Sequence, residues 1–95
     1  SEFMRQMRSL GAVETVMSLR QQAEQLRDVE LEKALRQLSN GKDTQEVLNN
    51  LARGLTNKLI HSPTVQLRKA SAEGRDDYLE MAQDLFQLSH NVKED

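Results

Sequence analysis

Val16-Met17-Ser18-Leu19-Arg20-Gln21-Gln22-Ala23-Glu24-Gln25-Leu26-Arg27, residues 16–27, carries the reading that decides the fold. Preceded by Ala12, its apolar members Val16, Leu19, Ala23 and Leu26 recur at alternating steps of four and three, the spacing of a helical seam. Continued strictly, the seam next meets Glu30 and Lys33. The apolar series instead resumes at Leu31, Leu35 and Leu38, displaced by one residue and so by about 100° around a helix. The two stripes are expected to face different neighbours.

Outward from this stretch, the same helix formers (Leu, Gln, Glu, Lys, Arg, Ala) fill the sequence, and no run of β-branched residues alternates at period two. The expected class is all-α, with one long helix and three shorter ones. The first runs from about Val13, or from the Met4 region, to Leu38, and Gly41 in Ser39-Asn40-Gly41 closes it. At ~26 to 35 residues it would be ~40 to 50 Å long. The second opens at Asp43 with Glu46 as the return half of a capping box and runs to about Ile60 or His61. Ser62-Pro63 reads as a fresh N-cap and first helical residue, because proline lacks an amide and disfavours helical geometry before it. That third helix ends near Gly74. The last opens at Asp76 or Asp77, with Glu80 completing a second box, and reaches about Leu88. Residues 89–95 read as a polar tail that frays. Residues 13–88 form the expected domain and 1–12 the end of a longer helix, with Ser1 and Glu2 read as a cloning remnant.

Composition narrows the function. The 95 residues are 37% hydrophobic and 29% charged, and no window offers the ~18 apolar residues of a membrane span. A basic segment followed by an apolar run is not visible at the start, so no secretory signal is read there. The chain has no cysteine, which removes disulfides, thiolate metal sites and thiol nucleophiles and fits a reducing, cytoplasmic setting. A net charge of −2 with mixed signs and only three aromatic residues argue against an autonomous nucleic-acid module.

Little in the chain has the pattern of a reactive site. His61 and His90 lie on different segments and form no ligand pair, and His61 is read as a partner of carbonyls at a helix end. Gly11, Gly41, Gly54 and Gly74 are dispersed and make no nucleotide loop. Gly54 inside the second helix costs ~1 kcal/mol against alanine, and marks either a close helix approach or a tolerated surface position. Glu30 is a solvated or salt-bridged break in the seam, paired with Arg27 or with a residue on another helix. Met4 and Met7 read as packing residues. Arg53, Lys58, Arg68 and Lys69 straddle the turn at Ser62-Pro63, either as a scattered solvated face or as a small phosphate-contacting patch.

The helical faces speak of association. Val47, Leu48, Leu51, Ala52, Leu55 and Leu59 form one wide stripe, and Tyr78, Leu79, Met81, Ala82, Leu85, Phe86 and Leu88 another. Helices this short cover only part of the first, so its remaining surface needs a partner, and a two-fold copy is the simplest one. A compact monomeric four-helix bundle stays open on the faces alone. The expected core and dimer interface comprises Leu26, Leu31, Leu35, Leu38, Leu48, Leu51, Leu55, Leu59, Leu79, Leu85 and Phe86.

The run Leu55-Thr56-Asn57-Lys58-Leu59-Ile60-His61-Ser62-Pro63-Thr64 closely resembles the C-terminal domain of bacterial glutamyl-tRNA reductase. The likeness extends upstream through Glu14-Thr15 and Arg20 to Arg27, and downstream through Leu67-Arg68-Lys69-Ala70 and Leu85-Phe86-Gln87-Leu88. The resemblance implies a V-shaped homodimeric enzyme of tetrapyrrole biosynthesis, with three domains strung along a spinal helix. It implies that the first domain takes glutamate from its tRNA as a cysteine thioester, that the second binds the NADPH that reduces it to glutamate 1-semialdehyde, and that the third dimerises. This chain is similar to that third domain with the end of the spine, a non-catalytic fragment with no cofactor of its own. Docking of a regulatory protein, or a minor tRNA contact through Arg53, Lys58, Arg68 and Lys69, are the alternative expectations.

Overall fold

The computed structural model describes residues 2–88, the side chains of 7–9 excepted. Ser1, the tail 89–95 with His90, and the Met7 side chain therefore lie outside the described residues. The order is α1 (Glu2–Ser39), α2 (Thr44–Ala72) and α3 (Asp76–Leu85), with no strand among the described residues.

Helix α1 is 38 residues long, about 57 Å at 1.5 Å per residue, longer than expected because it already starts at Glu2, ahead of Met4. Strong helix formers carry it past Gly11, where nothing lies within 4 Å of an added Cβ. It ends as the sequence predicts. Gly41 adopts φ 85°, its amide donates to the Leu38 carbonyl at 3.0 Å, and the Lys42 amide donates to the Gln37 carbonyl at 3.0 Å. This paired return satisfies carbonyls that a helix end otherwise leaves open. The Asp43 carboxylate then accepts the Glu46 amide at 3.1 Å and caps α2.

The expected break at Ser62-Pro63 does not occur. Helix α2 continues through Pro63 to Ala72, so the chain has three helices rather than four. Proline removes one amide and leaves the Leu59 carbonyl without its usual donor, at ~3 kcal/mol in a helix interior. One missing bond does not stop propagation through the strong formers on either side, where each added residue closes another bond. His61 accordingly lies inside a helix, exposed, and not at the helix end expected for it.

The end of α2 repeats the pattern of α1, with Gly74 at φ 71°, its amide on the Ser71 carbonyl and the Arg75 amide on the Ala70 carbonyl. Helix α3 lacks the predicted capping box. Arg75 occupies the N-cap without a side-chain bond, and the Asp77 carboxylate turns back to the Arg75 guanidinium at 3.4 Å. That cation holds the Asp77 carboxyl below its ordinary value. Helix α3 also stops at Leu85, short of Leu88, because Gln87 takes φ 52° and the Leu88 amide donates to the Gln83 carbonyl at 2.9 Å.

The chain falls into two compact units divided between Leu59 and Ile60. In the first, α1 and residues 44–59 of α2 fold back on each other over buried Ala34 and Val47, with Ala23, Leu26, Leu51 and Leu55 half-buried. In the second, the end of α2 and α3 meet at buried Ala70 and Ala82, flanked by half-buried Leu67 and Leu79. Four buried apolar side chains, three of them alanine, make a thin core among the described residues.

Candidate interaction surface

Glu30 lies at the centre of the first unit and is only 3% exposed. The inward face of α1 therefore passes through Glu30 and then Ala34, four residues on, rather than through Lys33 at the strict seam spacing, whose side chain is half exposed. Lys58 Nζ stands 2.8 Å from Oε2, and Lys33 Nζ 3.6 Å from Oε1. The Lys58 approach misses the angle of a directed hydrogen bond, so Oε2 is satisfied by charge more than by an aligned donor. Lys58 is the main reason that the Glu30 carboxyl is held below its ordinary value of 4.5. Partial desolvation opposes that shift less strongly, because the group is covered by neighbouring side chains rather than sunk in a thick core.

Arg27 is not the partner of Glu30. It pairs with Asp28 at 2.9 Å, which raises the guanidinium above its ordinary value. Of the two readings of Gly54, close approach is the one observed, since an added Cβ would lie 2.6 Å from Glu30 Oε1. A charged residue at a seam position and a glycine inside a helix are two anomalies that explain each other, and their pairing was the signal available in the sequence.

The expected interface residues divide. Leu26, Leu51, Leu55 and Leu79 are half-buried within their own units. Leu31, Leu35, Leu38, Leu48, Leu59, Leu85 and Phe86 are exposed. Each predicted stripe is thus split lengthwise: Val47 and Leu51 pack inward while Leu48 and Ala52 face out, and Ala82 packs inward while Tyr78 and Met81 face out. Upstream on α1, Val16 and Leu19 are exposed as well. With Ala23, Leu55 and Leu59 they floor a groove of about 490 Å³ whose rim carries Arg20, Glu24 and Arg27. Each of these floor residues lies on a stripe that the sequence predicts, and the groove arises only where the two helices meet.

Among the described residues, no group of three His, Asp or Glu side chains could hold a metal ion, and no helix is long and apolar enough to cross a membrane. Gly41 and Gly74 close helices and Gly54 abuts Glu30, so the glycines do not fit a nicotinamide dinucleotide. Of the expected phosphate-contacting residues, Arg53, Arg68 and Lys69 are exposed, whereas Lys58 is engaged with Glu30.

The comparisons with known proteins agree with this picture of a helical association module. Relatives named glutamyl-tRNA reductase are 61% identical over 97% of this chain in Pseudomonas paraeruginosa, 60% over 97% in Pseudomonas aeruginosa, and 60% over 92% in Pseudomonas fluorescens. The chain spans about a fifth of the length of these curated relatives, 22%, 22% and 20% respectively. No solved structure matches it. The family described as glutamyl-tRNAGlu reductase, dimerisation domain, matches residues 1–88, and the chain, with its exposed leucine rows on paired helices, belongs to that family.

Proposed function

We propose that this chain is the homodimerisation module of a glutamyl-tRNA reductase, an NADPH-dependent cytoplasmic enzyme that reduces glutamyl-tRNA to glutamate 1-semialdehyde for tetrapyrrole synthesis. In this reading residues 13–88 associate and 1–12 end a spine arriving from the catalytic part. The family match over residues 1–88 carries the proposal. The NADPH and the reacting thioester belong to the remainder of the parent, and no chemical step is assigned to the residues of this chain.

Physical support comes from unburied oil. Leu31, Leu35, Leu38, Leu48, Leu59, Leu85 and Phe86 are each more than a third exposed, and apolar rows of this kind mark an association surface. Full burial of one leucine contributes ~1.5 to 3 kcal/mol, so the exposed rows are sufficient to offset the entropy of association.

Light scattering on the purified chain tests the proposal. It expects twice 10.9 kDa at micromolar concentration, and a folded species of single mass would overturn it. A minor tRNA contact through Arg53, Arg68 and Lys69 would be seen as salt-dependent binding to the isolated chain. Docking of a regulatory protein would instead use apolar surface still exposed on the dimer.

A further inference from the structure

We infer that the groove floored by Val16, Leu19, Ala23, Leu55 and Leu59 receives helix α3 of a second copy of this chain. The inference rests on the dimer reading and adds to it which surface meets which element. Helix α3 has an apolar row at steps of three and four, Tyr78, Met81 and Leu85; Met81 is 69% and Leu85 71% exposed, while the Arg75 guanidinium lies 5.4 Å from the Tyr78 ring centroid. The inward packing of α3 uses Ala82 and Leu79 instead. The α1 wall of the groove has the matching period, Val16, Leu19 and Ala23 at steps of three and four, so each row can seat its knobs between those of the other.

Length and charge agree. The α1 wall from Val16 to Arg27 is about 16 Å long and the ten residues of α3 about 15 Å at 1.5 Å per residue. Helix α3 carries Asp76, Asp77, Glu80 and Asp84 and no cation, while the groove rim has two arginines and one glutamate. Arg20 and Arg27 are paired only with exposed carboxylates of their own helix, Glu24 and Asp28, contacts weak enough in water to be exchanged for Asp77 or Asp84. Under two-fold symmetry the contact occurs twice, groove to α3 and α3 to groove.

The absence of native cysteine makes cross-linking a direct test. Leu19→Cys and Leu85→Cys chains, each checked for helicity, are mixed at equilibrium, oxidised with glutathione disulfide and separated without reductant. A covalent heterodimer joined through positions 19 and 85, with an Ala23→Cys and Met81→Cys pair as its replicate in the same antiparallel register, is the expected result, because a disulfide needs Cα atoms within about 7 Å. The Met81→Asp chain should in addition lose dimer mass. Dimeric mass with no bond between these positions, or a bond formed within a single doubly substituted chain, would overturn the inference while the dimer reading stands. Monomeric mass of the unsubstituted chain would sink both.

Discussion

The backbone of Gly54 on α2 passes so close to the carboxylate of Glu30 on α1 that a side-chain Cβ there would sit 2.6 Å from Oε1. Glycine thus gives up helix propensity so that a buried carboxylate and its two lysines fit between the helices. Gly54→Ala is expected to destabilise the chain by about 1 kcal/mol despite the gain in propensity, because the held carboxylate must move. In a Glu30→Ala background the same substitution should stabilise by up to ~1 kcal/mol. Urea midpoints of the four chains measure the change of sign; additive effects would mean that the two residues are not coupled.

Acid should weaken the first unit through Glu30. Its folded pKa is held below 4.5, chiefly by Lys58. The unfolded chain therefore takes up the proton first, and the contribution is complete above 4.5 and is lost as pH falls through the lower folded value. Urea midpoints taken between neutral pH and pH ~3 should decline below that threshold, and the decline should be shallower in Glu30→Gln. Equal slopes in the two chains would remove Glu30 from the account.

Leu35→Asp places a carboxylate in an exposed apolar row of α1. If that row is buried between copies, the substitution acts twice per dimer, and ~1.5 to 3 kcal/mol per leucine weakens association by about 10² to 10⁴-fold. Sedimentation equilibrium reads the loss, with circular dichroism showing that helicity is retained. Unchanged affinity would move the seam elsewhere.

Pro63→Ala restores an amide that can donate to the Leu59 carbonyl within the continuous α2. The gain of ~3 kcal/mol in helix terms is reduced by the freedom returned to the unfolded chain, ~0.4 to 1 kcal/mol, and by packing lost at half-buried Pro63. A net stabilisation of about 1 to 2 kcal/mol is expected, along with a slowly exchanging amide at position 63. A neutral substitution with fast exchange would point to the break at Ser62-Pro63 that the sequence suggests.

The ends of α1 and α2 were legible because Gly41 and Gly74 are local signals, read from φ preference alone. The missing break at Pro63 was not, since a proline reports a lost bond but not whether the flanking turns outweigh it. The Asp77 and Glu80 box failed for a related reason: the helix opens one residue earlier, with Arg75 at the N-cap, and the Asp77 carboxylate turns to the Arg75 guanidinium as well as to nearby backbone amides.

By itself, the sequence determined the all-helical class, the long first helix and the displaced leucine row, because each depends on spacing and residue type within one segment. Only the tertiary structure decided that Glu30 is buried against Lys58 and Gly54, and which half of each apolar stripe faces inward. These depend on how two helices sit against each other, and a helix with apolar residues around much of its girth offers several such fits until side chains on both meet.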